Sequence, residues 1–301
     1  MSDQPRVAIL TVTTNAAAHL PAYLSALAHV TYDNWELWVV DNASSDNSVA
    51  LVKAACPNAT VLRNSENLGF TGACNRALEM LRESRDVDYV LFLNDDTEVG
   101  AGFVEPLVAL AGARTLVAPK TYLAGQPGVL DDAVGEFDWW RGTWRQRVLG
   151  REEGPADSYA HAVETANLSC LMVPTRTFRE VGVLDDAFFV YCDDTDFCRR
   201  ARNAGYRILF EPASLVEHRK GATLGGQLSA FGCYYLTRNR PYLMHKHLGG
   251  GLRFWAFFGY FLSTRAVRMA LWFKEGRCDL VRATLAGLRD FALGRFGRRE
   301  R

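Results

Sequence analysis

The sequence predicts an α/β protein with a mostly parallel central sheet and helices on both faces, and two observations carry this prediction. Strand-like apolar runs alternate with segments of helical spacing in the first third of the chain. Polar side chains follow four successive predicted strands, at the place where open α/β sheets bind ligands. With 301 residues and 49% hydrophobic content, the chain can build one large domain or two modest ones.

The predicted elements follow one another in the order β-α-β-α. The first strand is VAILTVT, and the next segment, HLPAYLSALAHV, repeats leucine at helical spacing with Pro21 in its first turn. The second strand, WELWVVD, precedes a turn rich in serine and asparagine and a short helix. The third strand, ATVLRN, leads into the helix TGACNRALEMLRE, and VDYVLFLND is the fourth strand. This order is typical of parallel strands joined by helices.

Polar residues occupy the carboxyl end of each predicted strand. They are Thr13 and Asn15, then Asp41, then Asn64, and finally Asn94, Asp95 and Asp96. One such residue would be ordinary turn chemistry, because Asp and Asn favour turns. Four strand ends in succession predict a ligand site, since the loops converge there and helix N-termini point inward.

The first loop disfavours two other classes of nucleotide-binding protein. A dinucleotide-binding dehydrogenase has G-x-G-x-x-G after its first strand, and a sugar nucleotidyltransferase has a glycine-rich, basic loop there. The corresponding segment here, TVTTNAAAHL, contains no glycine. The formal net charge is zero, from 34 basic and 34 acidic side chains, so no nucleic-acid partner is expected.

Four segments resemble the inverting family-two glycosyltransferases with a GT-A fold, particularly their rhamnosyltransferase-like branch. They are VVDNASSDNS, NSENLGFTGACNRAL, LFLNDDTEV and FFVYCDDTDFCRRARNAGY, in the family's order across residues 7–219. The resemblance implies a GT-A catalytic domain over residues 1–248, with a nucleotide-binding part at about 1–120 and an acceptor and catalytic part at about 121–248. Residues 249–301 would form a C-terminal helical extension.

The resemblance also implies a nucleotide-sugar donor and a divalent cation, Mg²⁺ or Mn²⁺, since both ions prefer oxygen ligands. Asp96 would bind the metal together with His218, and Asn94 or Asp95 would lie near ribose or sugar hydroxyls. The other implied donor-binding residues are Thr13, Asn15 and Asp41 near the base or ribose, Asn67, Gly69, Gly72 and Asn75 of an N-x-G-x-x-G-x-x-N loop, and Arg238 beside the diphosphate. Glycine in that loop would let the backbone approach the nucleotide.

The segment CDDTDFCRR supplies the implied catalytic base. In an inverting transfer, the attacking acceptor hydroxyl loses its proton to a nearby carboxylate. The family commonly has Glu-Asp at this position, whereas this chain has Asp193 and Asp194, of which Asp194 aligns with the base. Asp196 is placed to cap or orient the following helix. From the spacing alone, these carboxylates could instead form a charged helix N-terminus.

Two segments leave the acceptor open. The segment FDWWRGTWRQRVLG, residues 137–150, predicts either an acceptor-facing loop or an inserted hairpin with buried tryptophans. The segment ETANLSCLMVP has Asn167 and Leu168 where the family has a small Ser-Gly pair. This departure concerns acceptor contacts and leaves the donor chemistry untouched.

The C-terminal stretch is aromatic and apolar, but arginines interrupt it. The uninterrupted run in LRFWAFFGYFLSTRAVRMALWF is about half of the ~20 residues that a spanning helix needs, which predicts an interfacial helix or a packed helix pair. The next segment has one apolar face, formed by Val281, Leu285, Leu288 and Ala292. From Gly249 onward there are 11 basic and 4 acidic residues, an excess of 11 − 4 = +7. The extension therefore suits an anionic membrane or docking on the catalytic domain.

The combined prediction is a metal-dependent, inverting glycosyltransferase. It would transfer a sugar from dTDP-rhamnose or a UDP-sugar to a glycan or lipid-linked acceptor in cell-surface polysaccharide synthesis. Scattered cysteines and an N-terminus without the pattern of a secretory signal predict a cytoplasmic protein, peripheral at the inner face of the membrane. The alternative is a catalytically silent nucleotide-sugar-binding or scaffold module, which the two carboxylate clusters disfavour. The oligomeric state is open.

Overall fold

A computed structural model describes residues 4–131, 134–145, 150–219 and 229–299. It confirms the predicted α/β class, with a central sheet between two layers of helices. The strands are β1 Val7–Thr13, β2 Trp35–Asp41, β3 Thr60–Arg63, β4 Tyr89–Leu93, β5 Thr97–Val99, β6 Thr115–Leu123, β7 Val129–Leu130, β8 Val134–Gly135, β9 Phe137–Asp138, β10 Thr143–Trp144, β11 Arg151–Glu152, β12 His161–Ala162, β13 Thr165–Ala166, β14 Cys170–Pro174 and β15 Arg207–His218. The α-helices are α1 Leu20–Leu27, α2 Ser48–Ala55, α3 Gly69–Glu83, α4 Val104–Leu110, α5 Thr175–Glu180, α6 Asp193–Asn203, α7 Ala230–Leu248, α8 Leu252–Lys274 and α9 Cys278–Ala292.

The central sheet has the strand order β3-β2-β1-β4-β14-β6-β7-β11. The pairs β1–β2, β1–β4 and β2–β3 are parallel, so the first four predicted strands end at the same edge. Strand β14 runs antiparallel to β4 and β6. Strand β15 pairs with β6 in parallel and with β5 in antiparallel. The start of β5 and the carboxyl ends of β6 and β15 therefore lie side by side, next to the acidic residues that follow β4.

Alternation along β1 explains the two helical layers. Val7 and Ile9 face a core formed with α1, α2 and α4, whereas Ala8 and Leu10 face a core formed with α3, α5 and α6. A strand buried on both faces reads as a continuous apolar run, as VAILTVT does. The loop after β1 leads into α1 of the first layer. Helix α6, which contains the predicted base, belongs to the second layer.

The C-terminal helices pack on the catalytic part of the chain. Phe254, Phe257 and Phe261 of α8 are buried in one aromatic cluster with Phe137 and Phe188. This packing does not test the predicted domain boundaries, so the division at residue 248 stays a prediction. Within the described ranges, none of the helices is sufficiently long and apolar to span a bilayer.

The most buried residues of α9 are not those of the apolar face that the sequence showed, which suited a membrane or docking. Leu285 is exposed, while Leu280, Ala283 and Gly287 are buried. A Cβ on Gly287 would fall 2.7 Å from the Tyr234 carbonyl oxygen, so α9 lies almost directly on the backbone of α7. The face of α9 that contacts α7 therefore depends on small residues, because they permit this close approach. The hydrophobic pattern of the sequence does not reveal this face.

Candidate active site

The carboxyl ends of β1, β2 and β3 bring predicted polar residues together. Thr13 is in register with Asp41, which is in register with Arg63. The fully buried Asp41 side chain accepts hydrogen bonds from the Ser44 N–H at 3.1 Å and from Arg63 Nε at 3.2 Å. The Thr13 hydroxyl is buried and has no hydrogen-bond partner among the described residues. A ligand that donates or accepts a hydrogen bond could satisfy it.

Two asparagines tie the loops at this edge to one another. Asn15 adopts a left-handed conformation, φ 50°, and its side-chain oxygen accepts from the Ser45 N–H at 2.8 Å. Asn42 Nδ2 donates to Asn67 Oδ1 at 3.0 Å, and Asn42 Oδ1 accepts from Asn64 Nδ2 at 3.0 Å. Sequence reasoning missed Asn42, although it stands directly after Asp41 in the first family segment.

Gly69 and Gly72 both stand close to other parts of the protein. Gly69 has φ 75°, and a Cβ there would fall 2.4 Å from the Phe189 carbonyl oxygen. A Cβ on Gly72 would lie 3.0 Å from that of Leu68. The predicted donor loop is therefore packed on the segment that leads into α6.

Asn75 makes a second tie between α3 and that segment. Its Nδ2 donates to the Leu184 carbonyl at 2.8 Å and to Asp186 Oδ1 at 2.6 Å, and its Oδ1 accepts from the Leu184 N–H at 2.9 Å. These bonds fix the relative position of the donor loop and the catalytic segment. A donor-binding role for Asn75 stays a prediction.

The acidic residues after β4 face two histidines. His19 Nε2 lies 3.4 Å from Asp95 Oδ1, and the neighbouring carboxylate raises the pKa of His19 above its usual value. Sequence reasoning missed His19, which has no motif around it. Asn94 is held by its backbone, whose N–H donates to the Ser169 carbonyl at 2.9 Å. The imidazole of His19, from the segment after β1, therefore lies beside the acidic residues that follow β4.

Asp96 and His218 lie together, as the resemblance implied. His218 Nε2 is 3.2 Å from Asp96 Oδ1, and His218 Nδ1 is 2.7 Å from Asp131 Oδ2. Burial acts to lower the pKa of His218, but the carboxylates of Asp131 and Asp96 outweigh it and raise the pKa to about 9. Asp131 was missed because no motif surrounds it in the sequence.

This pair fits two neighbouring ligands of a divalent cation. Asp96 Oδ1 is buried and has no hydrogen-bond partner in the part of the chain described. Ligands at 2.0–2.1 Å in octahedral geometry stand about 3 Å apart, close to the 3.2 Å between Asp96 Oδ1 and His218 Nε2. The described residues contain no group of three or more His, Cys, Asp or Glu arranged to hold a metal alone. Further ligands would have to come from diphosphate oxygens and water, as is usual for Mg²⁺.

The two carboxylates of the predicted base differ in environment. Asp193 is buried, and burial together with the charge of Asp194 raises its pKa well above the usual value. Asp194 is only partly buried and accepts from the Thr195 N–H at 2.6 Å and the Thr195 hydroxyl at 3.1 Å. Adjacent residues on a helix point in different directions, and here the more accessible one is Asp194.

The backbone before α6 is strained and clamped. Phe189, Tyr191 and Cys192 have φ between 65° and 69°, a conformation that is costly for residues with a side chain. Asn239 of α7 donates to the carbonyls of Val190 at 2.7 Å and Tyr191 at 3.1 Å. Helix α7 thereby holds the segment that aims the acidic first turn of α6.

Asp196 connects α6 to the end of α7. Its fully buried carboxylate lies 2.8 Å from Arg200 Nε, from His247 Nε2 and from Lys246 Nζ. Burial acts to raise its pKa, but His247, Arg200 and Lys246 outweigh this and bring the pKa to about 2. Asp196 therefore orients α6, as one of the sequence interpretations expected.

Arg238 lies in α7 and supports the same segment. Its buried guanidinium donates to the carbonyls of Ala187 and Phe188, each at 3.0 Å, and to that of Gly297 at 2.6 Å. None of the hydrogen bonds described for Arg238 reaches the polar strand ends. Contact with a diphosphate would require it to leave these carbonyls.

The Trp/Arg segment forms a hairpin, β9–β10, beside α6, and its residues 146–149 lie outside the described residues. Trp144 Nε1 donates to Thr195 Oγ1 at 3.2 Å, and Arg199 stacks on Trp139 at 4.8 Å. Trp140 at the turn is 59% exposed. Two indoles of the hairpin therefore pack against protein and one faces outward, and contact of the hairpin with an acceptor stays a prediction.

A mostly parallel sheet, an acidic strand end and a second acidic cluster at the start of α6 define a glycosyltransferase of the GT-A class. The chain belongs to glycosyl transferase family 2, whose family model matches residues 8–165. It is similar to the N-acetylglucosaminyl-diphospho-decaprenol L-rhamnosyltransferase of Mycobacterium tuberculosis H37Rv, at 25% identity over 80% of this chain and 85% of the relative. It is also similar to the low-salt glycan biosynthesis hexosyltransferase Agl10 of Haloferax volcanii, at 24% identity over 58% of this chain and 55% of that protein.

Two solved structures share the fold. A crystal structure of GalNAc-T7 with UDP, GalNAc and Mn²⁺ aligns with a TM-score of 0.61 at 16% identity. A crystal structure of Staphylococcus aureus TarS aligns with a TM-score of 0.54 at 15% identity. Each comparison covers 79% of this chain, which spans only 48% and 39% of the two longer structures. The predicted GT-A fold and family are confirmed.

Proposed function

We propose that this glycosyltransferase is metal-dependent and inverting, and that it uses a nucleotide diphosphate sugar as donor. The observation that carries the proposal is the buried pair of Asp96 Oδ1 and His218 Nε2, 3.2 Å apart, whose carboxylate oxygen lacks a hydrogen bond among the described residues. These two side chains would hold Mg²⁺ or Mn²⁺. When bound, the ion would neutralise charge on the diphosphate leaving group.

The donor would lie across the carboxyl ends of β1, β2 and β4. Asp41 and the unpartnered hydroxyl of Thr13 suit the base or ribose, and Asn15 and Asn67 hold the surrounding loops. Asn94 and Asp95 are placed for ribose or sugar hydroxyls. Gly69, Gly72, Asn75 and Arg238 would act by shaping this wall and fixing the segment before α6.

The acceptor hydroxyl would transfer its proton to Asp194 as it attacks the anomeric carbon. Asp194 is the more accessible member of the acidic pair, and Thr195 orients its carboxylate. Buried Asp193 would position the first turn of α6. The exposed Trp140 on the adjacent hairpin is suited to stack on an acceptor sugar, since indole faces bind apolar ring surfaces.

The donor sugar and the acceptor follow from similarity alone. The Mycobacterium tuberculosis relative is named as an L-rhamnosyltransferase acting on a diphospho-decaprenol-linked sugar. We therefore favour dTDP-rhamnose as donor, with UDP-sugars as competitors, and a glycan or lipid-linked acceptor in cell-surface polysaccharide synthesis.

A lipid-linked acceptor would place the protein at the inner face of the membrane, and α8 supports this placement. Its outward face is apolar, with Leu252, Trp255, Leu262 and Phe273 exposed on one side. Exposed Arg253 and Lys274 at the two ends of the helix could meet anionic headgroups. We propose that α8 lies flat in the headgroup region, as amphipathic interfacial helices do.

Calorimetric titration tests the donor site, and release of nucleoside diphosphate from a panel of donors separates the enzyme from a catalytically silent scaffold. UDP and dTDP are titrated with and without Mn²⁺ into the wild type and Asp96→Ala. Tight binding that needs both Mn²⁺ and Asp96 supports the proposal. Equal binding in the mutant would remove the metal assignment, and binding without turnover of any donor would favour the scaffold.

A further inference from the structure

We propose that Asp131 is a positioning residue for the metal site, and that it holds the His218 imidazole with Nε2 free to face the ion. The inference rests on the proposed metal-dependent function and adds a residue that none of the family segments contains. Asp131 Oδ2 lies 2.7 Å from His218 Nδ1, on the side of the ring opposite to Asp96. Both side chains are buried.

The proton placement follows from the donor and acceptor chemistry of the three groups. An ionised carboxylate only accepts hydrogen bonds, so Asp131 selects the tautomer in which Nδ1 carries the proton. When the ion binds, Nε2 gives up its proton to solvent and presents its lone pair, which a metal ligand requires. A carboxylate behind a metal-binding histidine fixes the ring and raises its basicity as a ligand.

The sheet holds these three residues in a row. His218 of β15 is in register with Thr97 of β5, which follows Asp96 directly. On its other side, His218 is in register with Leu123 of β6. Asp131 follows β7 and its N–H donates to the Thr121 carbonyl of β6 at 2.8 Å. The distance between Asp131 and His218 is therefore set by backbone pairing.

The variant Asp131→Asn distinguishes tautomer selection from simple space filling. Asparagine has nearly the same shape, but its amide can also donate to Nδ1 and so permit the tautomer with the proton on Nε2. If Asp131 selects the tautomer, the variant should fold normally and still bind Mn²⁺ about 10- to 100-fold more weakly. If Asp131 only fills space, affinity should stay within about twofold.

Mn²⁺ binding is measured by electron paramagnetic resonance in the presence of UDP and, separately, of dTDP. Pulsed spectra report ¹⁴N coupling from a coordinated histidine, a readout that does not depend on activity. The wild type should show this coupling, His218→Ala should lose it, and Asp131→Asn should weaken or lose it. Asp157→Asn, which alters another buried aspartate that binds Arg151, is the matched control and should behave as the wild type.

The outcomes separate the inference from the function on which it rests. Full coupling and wild-type affinity in Asp131→Asn, with both lost in His218→Ala, would overturn the role of Asp131 alone. Absence of ¹⁴N coupling in the wild type, or unchanged Mn²⁺ affinity in Asp96→Ala, would overturn the metal site and the inference together.

Discussion

Gly69 lies so close to Phe189 that a Cβ on the glycine would fall 2.4 Å from the Phe189 carbonyl oxygen. The Phe70 N–H donates to the same carbonyl at 2.8 Å. The loop at the start of α3 and the strained segment before α6 therefore form one continuous structure. Since the two carry the predicted donor loop and the predicted base, their contact couples the two halves of the site.

Gly69→Ala should destabilise the protein more than the same change at a glycine of equal φ. Gly128 also has φ 75° but has no atom within 4 Å of an added Cβ, so Gly128→Ala reports the conformational cost alone, about 1 kcal/mol. The clash at Gly69 should add about 1–3 kcal/mol. Denaturant unfolding measures both variants, and equal free energies of unfolding would mean that the contact with Phe189 yields easily.

Asp194→Asn should lower turnover by roughly 10²- to 10⁴-fold, because it removes the proton acceptor and keeps the size of the side chain. Donor affinity should persist. Asp193→Asn should cost less activity, since the buried Asp193 is the less accessible carboxylate. Transfer rates and donor affinities are measured side by side for both variants. An inactive Asp193→Asn beside an active Asp194→Asn would reverse the assignment of the base.

Asp196 should contribute to stability in a pH-dependent way. Its pKa falls from 3.8 to about 2 on folding, so its contribution is present above pH 4 and is lost as the pH falls toward about 2. The shift corresponds to about 2 kcal/mol. The stability advantage of the wild type over Asp196→Asn should therefore shrink by about this amount between pH 5 and pH 2.

Thermal and denaturant unfolding across that pH range measures the difference. Asp33→Asn, which removes a carboxylate at an exposed position, serves as the matched control. If the difference in the free energy of unfolding between the wild type and Asp196→Asn did not change with pH, the contacts with Arg200, Lys246 and His247 would not depend on the Asp196 charge.

Membrane binding should depend on the outward face of α8. Truncation is a poor test, because α8 also buries Phe254, Phe257 and Phe261. The double variant Trp255→Glu with Phe273→Glu changes only exposed side chains and should reduce co-sedimentation with anionic vesicles about tenfold or more. Met80→Glu, at a 51% exposed position on α3, is the control. Equal sedimentation of both variants would show that α8 is not the contact.

Sequence periodicity predicted the sheet, its flanking layers and the acidic strand end, because these depend on local spacing and on the rule that parallel strands end at one edge. It missed His19 and Asp131, since their partners come from other strands and no local pattern marks them. The packing of Gly69 on Phe189 was also missed, because it depends on tertiary structure, and a donor-binding role for Gly69 stays a prediction. The most buried face of α9 was not evident in the sequence, because small residues, which carry little hydrophobic signal, form the contact.

The most direct test of metal-dependent glycosyl transfer is the release of nucleoside diphosphate from a panel of donors, including dTDP-rhamnose and UDP-sugars. Wild type and Asp96→Ala are compared with Mn²⁺ and with a chelator, by chromatography of the released nucleotide. We make one prediction: the wild type with Mn²⁺ turns over one donor, and the chelator or Asp96→Ala lowers the rate at least a hundredfold, in line with the loss of a main electrostatic contribution. Turnover that continues at the same rate with the chelator and in Asp96→Ala would contradict it.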